Sequence, residues 1–194
     1  MSARTIRATH RIARSAALLA ATSIALGCAT PQPPNDAGFE HRWNGRFTAG
    51  WTDATPRGGD RVTGRFALAA GAGQATLEVL SPLGQTLVRA HAGPGGAWLE
   101  TADGQRHTAQ TPEALTEVVL GWRIPVLRLP AWLADDRPDE AVEDDWEVRV
   151  DARDPSRPRR LSLRWPAAGG SVDGRSVAIR LIIDESLPAS GARP

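Results

Sequence analysis

Residues 62–91 read VTGRFALAAGAGQATLEVLSPLGQTLVRAH, and in this stretch large apolar side chains recur at every second position. Phe66 and Leu68 share one side of a segment from Val62 to Ala69, and Leu77 and Val79 share one side of a segment from Ala75 to Leu80. That two-residue period is the signature of strands with one apolar face. Gly71-Ala72-Gly73 separates the first two segments. Ser81-Pro82-Leu83-Gly84 separates the second from Thr86 to His91, with Pro and Gly in turn-favoured places. Links this short join antiparallel neighbours, so the stretch is a meander.

Working outward, Trp43 to Trp51 alternates in the same way, with Phe47, Ala49 and Trp51 on one face, and Ala97 to Thr101 adds a further short strand. The pattern then changes. Thr111-Pro112-Glu113 supplies a cap residue, a Pro in the first turn and an acid near the positive end of a helix. Leu115, Val118, Val119 and Trp122 follow at helical spacing, and Gly121 marks the stop. Pro125 to Leu133 reads as a second short helix bent at Pro130. Beyond an acidic loop, strands resume at Trp146 to Asp151, Leu161 to Trp165 and Val177 to Ile183. A sheet with one apolar face and only a small helical insertion must cover that face with the insertion. The predicted fold is mainly β within the α+β class, an incomplete antiparallel β-barrel (half-barrel) with a small helical lid.

Composition removes several function classes. The chain has 194 residues, 23 cations that are all Arg, 22 acids, seven Trp and one Cys. One sulfur builds neither a disulfide framework nor a cysteine metal cluster. Balanced charge without a run of cations excludes the usual footprint of a nucleic-acid binder. His41, His91 and His107 lie on separate segments without metal-ligand spacing, no GxSxG elbow occurs, and Gly93-Pro94-Gly95-Gly96 leads into a strand as a hairpin turn. The acidic run Asp135, Asp136, Asp139, Glu140, Glu143, Asp144 and Asp145 lacks the spacing of a calcium loop and reads as a solvated loop. Arg153, Arg157, Arg159 and Arg160 read as a charged hairpin, with a lipid-headgroup contact as the alternative. Neither a catalytic constellation nor a metal or cofactor site emerges, and a non-enzymatic function is expected.

The N-terminus is an address. Residues 1–27 carry Arg4, Arg7, Arg11 and Arg14, no acid, and an apolar run from Ala16 to Leu26 too short to span a bilayer, the pattern of an export signal. Ile24-Ala25-Leu26-Gly27-Cys28 resembles the lipobox of bacterial lipoproteins, with Ala25 where Leu is preferred. The resemblance implies cleavage before Cys28, a diacylglyceryl group on its thiol and an acyl group on its new amine. Ala29 stands where an Asp would imply retention in the inner membrane, so delivery to the outer membrane is expected. Without the four signal arginines, 19 cations face 22 acids and the mature chain carries about −3. Residues 28–38 read as the lipidated Cys and a Pro-rich flexible tether, 39–187 as the folded domain, and 188–194 as a disordered tail.

Trp43-Asn44-Gly45-Arg46-Phe47, Gly64-Arg65-Phe66, Leu77 to Leu80 with Ser81-Pro82-Leu83-Gly84-Gln85, Trp98-Leu99-Glu100, Asp103-Gly104, Leu120-Gly121, Ile124-Pro125-Val126, Leu129 and Trp132-Leu133 occur in order. Together with the sole Cys they make the chain similar to the LolB family, outer-membrane receptors that accept lipoproteins from the periplasmic carrier LolA. The resemblance spans nearly the whole mature chain. It implies an apolar cavity under the lid, no cofactor beyond the lipid on Cys28, and three partners: a LolA-type carrier, lipoprotein cargo and outer-membrane lipid, handled by a monomer.

A large aliphatic residue at a turn tip either folds back onto the core or is exposed for a purpose. Composition favours the core for Leu83, whereas the resemblance makes Pro82, Leu83 and Gly84 a membrane-insertion loop. Expected cavity residues on the early strands are Phe47, Phe66, Leu68, Leu77, Val79 and Trp98. The helical insertion adds Leu115, Val119, Trp122, Trp132 and Leu133, and the late strands add Trp146, Leu163 and Ile179. A scaffolding lipoprotein without cargo and a hydrolase using His91 or His107 are the alternatives.

Overall fold

The computed structural model describes residues 38–52, 59–120 and 122–188. The signal, Cys28, most of the tether and Gly121 lie outside them, as does the tail from residue 189. Ten strands form one open antiparallel sheet: β1 (His41–Thr52), β2 (Asp60–Gly71), β3 (Gln74–Leu80), β4 (Thr86–Gly93), β5 (Gly96–Thr101), β6 (Arg106–Ala109), β7 (Glu140–Glu143), β8 (Trp146–Asp154), β9 (Arg157–Trp165) and β10 (Ser176–Pro188). Helices α1 (Pro112–Leu120) and α2 (Leu129–Trp132) lie between β6 and β7, with a 3-10 turn at Val126–Arg128.

The strand order is β6-β5-β4-β3-β2-β1-β10-β9-β8-β7. Two meanders are therefore stitched together by the pairing of β1 with β10. Because β6 and β7 are the two free edges, the chain between them must travel the full width of the sheet. It does so over the apolar face. α1 packs against β5 and β6 and the 3-10 turn against β3 and β4, which makes the helical segment a strap across an unclosed barrel. Each edge strand is only four residues long and carries charge, Arg106 on β6 and Glu140 and Glu143 on β7. Short charged edges discourage pairing with other chains.

Register sets the two faces. Leu77 lies opposite Leu68 and Ala90, Phe66 opposite Val79, Phe47 opposite Leu181, and Ile179 opposite both Ala49 and Leu163. These form the core face. Gly64 is needed there because Phe47 on the neighbouring strand crosses it: a Cβ at Gly64 would strike the Leu80 carbonyl and approach the Phe47 ring to 2.8 Å. α1 begins as its sequence dictates, the Thr111 hydroxyl accepting the Ala114 N–H at 3.2 Å.

The structure corrects the sequence reading at four points. The acidic stretch holds a strand, β7, because Glu140–Glu143 pairs with β8. Arg106–Ala109 is also a strand, paired with β5. Pro130 opens α2 in place of bending one longer helix, since a Pro is tolerated in a first turn where its missing N–H has no partner to lose. Finally, β10 runs through Pro188, one residue beyond the expected domain limit.

Candidate functional site

The core face carries two apolar clusters. The larger gathers Phe66, Leu68, Trp132, Leu133, Trp146 and Leu163 with Trp43, Val148, Leu161, Val177 and Ile183. Packed against it, and only half-buried, are Phe47, Trp51, Leu77, Trp122, Ile124, Trp165, Ile179 and Leu181. The smaller lies beneath α1, where Leu115 and Val119 meet Ala90, Ala92, Ala97 and Leu99. Small alanines on β4 and β5 let the helix sit close. The expected cavity set is thus divided: Leu115 and Val119 belong under α1, and most of the rest to the larger cluster. Val79 shares the core face by its pairing with Phe66.

Trp98 is a correction. It pairs with His91, one step out of phase with the Ala90–Leu99 and Ala92–Ala97 pairs that face the core. Its indole therefore lies on the outer face, stacked on His91 at 5.8 Å and covered by the Arg106 guanidinium at 4.3 Å. The His91 ring in turn meets the Thr76 hydroxyl at 3.2 Å. His107 pairs with Leu99 and takes the opposite face from His91. The two histidines do not converge, and among the described residues no three His, Cys, Asp or Glu side chains are grouped to hold a metal ion.

Tryptophans fasten the strap. Trp132 and Trp146 meet at 6.2 Å with their rings tilted by 47°, and each donates its indole N–H: Trp132 to Glu143 Oε2 at 2.9 Å, Trp146 to the Arg123 carbonyl at 3.2 Å. Thr116 accepts the Ile124 N–H at 2.8 Å and donates to the Glu113 carbonyl, tying the exit of α1 to the next turn. Arg128 pairs with Asp144 at 3.2 Å. Arg137 is buried beside them. Burial lowers its pKa, Glu143 raises it, and nearby Arg153 lowers it. Trp122 meets Trp51 at 5.5 Å, and its buried indole N–H has no partner among the described residues.

The fully buried members of the expected set, Leu68, Trp132, Trp146 and Leu163 among them, pack on one another as ordinary core. Apolar surface still available lies on the half-buried group. Trp51, Trp165 and Leu181 belong to that group although the sequence reading did not include them in the cavity. The signal was present: Trp51 alternates with Phe47, and Leu181 with Ile179.

At one end of the sheet the Ser81–Gly84 turn projects. Its closure is local: Gly84 N–H donates to the Ser81 carbonyl at 2.9 Å, Ser81 N–H to Gln85 O at 2.8 Å, and Gln85 N–H to the Ser81 hydroxyl at 3.2 Å. Gly84 has φ +85°, a left-handed conformation that favours glycine. Leu83 at the tip is 90% exposed, so the composition-based expectation that it folds onto the core is overturned. A turn so fully bonded within itself has no slack to tuck that side chain away.

Two grooves mark the outer face. One, of about 530 Å³, is lined by Pro82 with Arg46, Arg65, Arg180 and Asp184 among others. The second, of about 360 Å³, carries Arg61, Arg149, Arg164, Arg180 and Glu147. Arg46 and Asp184 form a two-point ion pair at 3.1 and 2.9 Å, which raises the Arg46 pKa above its ordinary value.

The chain is similar to known proteins over most of its length. The family model described as outer membrane lipoprotein LolB matches residues 43–185. Among curated proteins, the chain is 32% identical over 172 residues to the outer-membrane lipoprotein LolB of Azoarcus sp. (strain BH72), covering 81% of this chain and 86% of that protein. It is 30% identical over 181 residues to that of Bordetella pertussis, covering 84% and 88%. The Ralstonia nicotianae protein of the same name is 29% identical over 196 residues, covering 85% and 92%.

Proposed function

The chain belongs to the outer-membrane lipoprotein LolB family, and from that premise we propose that it accepts lipoproteins from a LolA-type periplasmic carrier, shelters their acyl chains and inserts them into the outer membrane. The observation that carries this reading is the pairing of a half-buried apolar sheet face with a bare leucine at the tip of a rigid turn. One element holds fatty chains away from water. The other enters a bilayer.

Cargo cannot cross the periplasm unprotected. Each CH₂ of an acyl chain is worth about 0.8 kcal/mol on leaving water, so several long chains represent tens of kcal/mol. Phe47, Trp51, Leu77, Trp122, Ile179 and Leu181 provide the matching surface once the strap between β6 and β7 shifts outward. The strap is held to the sheet chiefly by apolar packing, aliphatic at Leu115 and Val119 and aromatic at Trp122 and Trp132, with a few hydrogen bonds, so acyl chains can replace contacts of the same kind. Direction needs no nucleotide: cargo moves down a ladder of affinities from carrier to receptor to bilayer. No step makes or breaks a covalent bond. An acylated Cys28 holds the receptor at the outer membrane, where two or more chains anchor stably.

The test is transfer of labelled lipoprotein from the loaded carrier to the native protein, on whose Cys28 mass spectrometry is expected to find acyl groups. Cargo is expected to leave the carrier and appear in the receptor's membrane. Retention of cargo on a carrier that readily releases it to detergent would leave the scaffolding alternative standing.

A further inference from the structure

We propose that the arginine-lined groove beside the Pro82–Leu83 turn receives the phosphate of an anionic lipid headgroup, so that the outer sheet face reads membrane charge while Leu83 enters the hydrocarbon. This rests on the reading of the turn as the membrane-entry element and adds a headgroup site to it.

The arginines are placed by register. Arg65 lies opposite Arg46 on β1 and opposite Leu80, the residue from which the chain enters the turn. Arg180 lies opposite Thr48, two residues further along β1. Pro82, next to Leu83, forms a wall of the same groove. The groove therefore adjoins the Leu83 turn through Pro82, and a headgroup charge within about 8 Å of its guanidinium groups is felt at physiological salt.

The charge is not explained by folding. Arg46 is neutralised by Asp184, whereas Arg65 and Arg180 are exposed and have no hydrogen-bond or ion-pair partner among the described residues. Facing cations across neighbouring strands, as Arg46 and Arg65 are, work against the sheet. Of the six arginines in the two grooves, Arg46, Arg149 and Arg164 are ion-paired with carboxylates, which leaves Arg65 and Arg180 as the uncompensated cations of the groove beside Pro82, on a mature chain that carries about −3. Guanidinium groups bind phosphate through paired N–H donors, and a cation at an anionic membrane surface is worth about fivefold in partitioning. An acidic protein would match the charge but would not explain its continuity with a bare leucine.

The experiment uses the mature lipid-anchored protein and the double variant Arg65→Gln/Arg180→Gln. Each is reconstituted in vesicles of phosphatidylethanolamine mixed in equal parts with phosphatidylglycerol or with phosphatidylcholine. Cargo uptake from the carrier and cargo delivery into the vesicle are measured separately, and a thermal melt confirms that the variant folds. Wild type is expected to deliver about tenfold faster onto phosphatidylglycerol vesicles. The variant is expected to lose that advantage while matching wild type in uptake and on phosphatidylcholine. A full phosphatidylglycerol advantage in the variant, or none in wild type that still delivers cargo, overturns the inference alone. Inhibition by inorganic phosphate at constant ionic strength on phosphatidylcholine vesicles would assign the groove to a free anion, and loss of uptake in the variant would assign it to the carrier. Either result overturns the lipid assignment. Failure of wild type to deliver to either vesicle would remove the parent reading, and this inference with it.

Discussion

Leu83→Glu is expected to leave cargo uptake from the carrier intact and to slow delivery into membrane on the order of 100-fold, an estimate from the cost of placing a carboxylate in place of an aliphatic side chain near hydrocarbon. The Leu side chain contributes nothing to the folded core, being 90% exposed. The turn's hydrogen bonds involve Ser81, Gly84 and Gln85, not the Leu83 side chain. Thermal unfolding should therefore coincide with wild type. Separate measurement of uptake and delivery checks the expectation. Undiminished delivery by the Glu variant would show that the exposed leucine has no part in insertion, and a matching loss of uptake would place the turn at the carrier contact instead.

Trp132→Ala is expected to have the opposite profile, a loss of about 4 kcal/mol in unfolding free energy by the usual cost of truncating a buried aromatic to Ala. Trp132 is 1% exposed, rests against Trp146 and donates its indole N–H to Glu143. Truncation leaves a cavity under the strap and takes the Glu143 carboxylate's indole donor away. Urea unfolding should show a lower midpoint with an unchanged slope. Trp132→Phe, which keeps most of the volume but loses the N–H, should cost less than half as much. A Trp132→Ala protein as stable as wild type would mean that the strap is not fastened at this point.

The strands with strong two-residue alternation, β1 to β4 and β8 to β10, were legible because a buried face leaves a periodic trace in the sequence. The two edge strands were not. Arg106-His-Thr-Ala109 and Glu140-Ala-Val-Glu143 are short and charged, and an edge strand gains its identity from the one neighbour it pairs with. Trp98 was misplaced for a related reason. In Ala97-Trp98-Leu99 both faces of the strand carry apolar residues, so size drew the indole inward, while the pairing of β5 with β4 put Leu99 and Ala97 there. A shift of one residue exchanges every side chain between faces, and local sequence does not encode which shift holds.

The sequence by itself determined the mainly β architecture, the cap of α1, the apolar character of the face and the residues of the projecting turn, because each follows from local conformational preference or from period. Only the tertiary structure decided that β1 joins β10, that the helical segment spans the sheet, that Leu83 stands bare, and that arginines scattered from residue 46 to residue 180 share one face. The joining of β1 to β10 and the gathering of the arginines depend on pairing between strands more than a hundred residues apart, and such pairing is chosen by the free energy of the whole sheet.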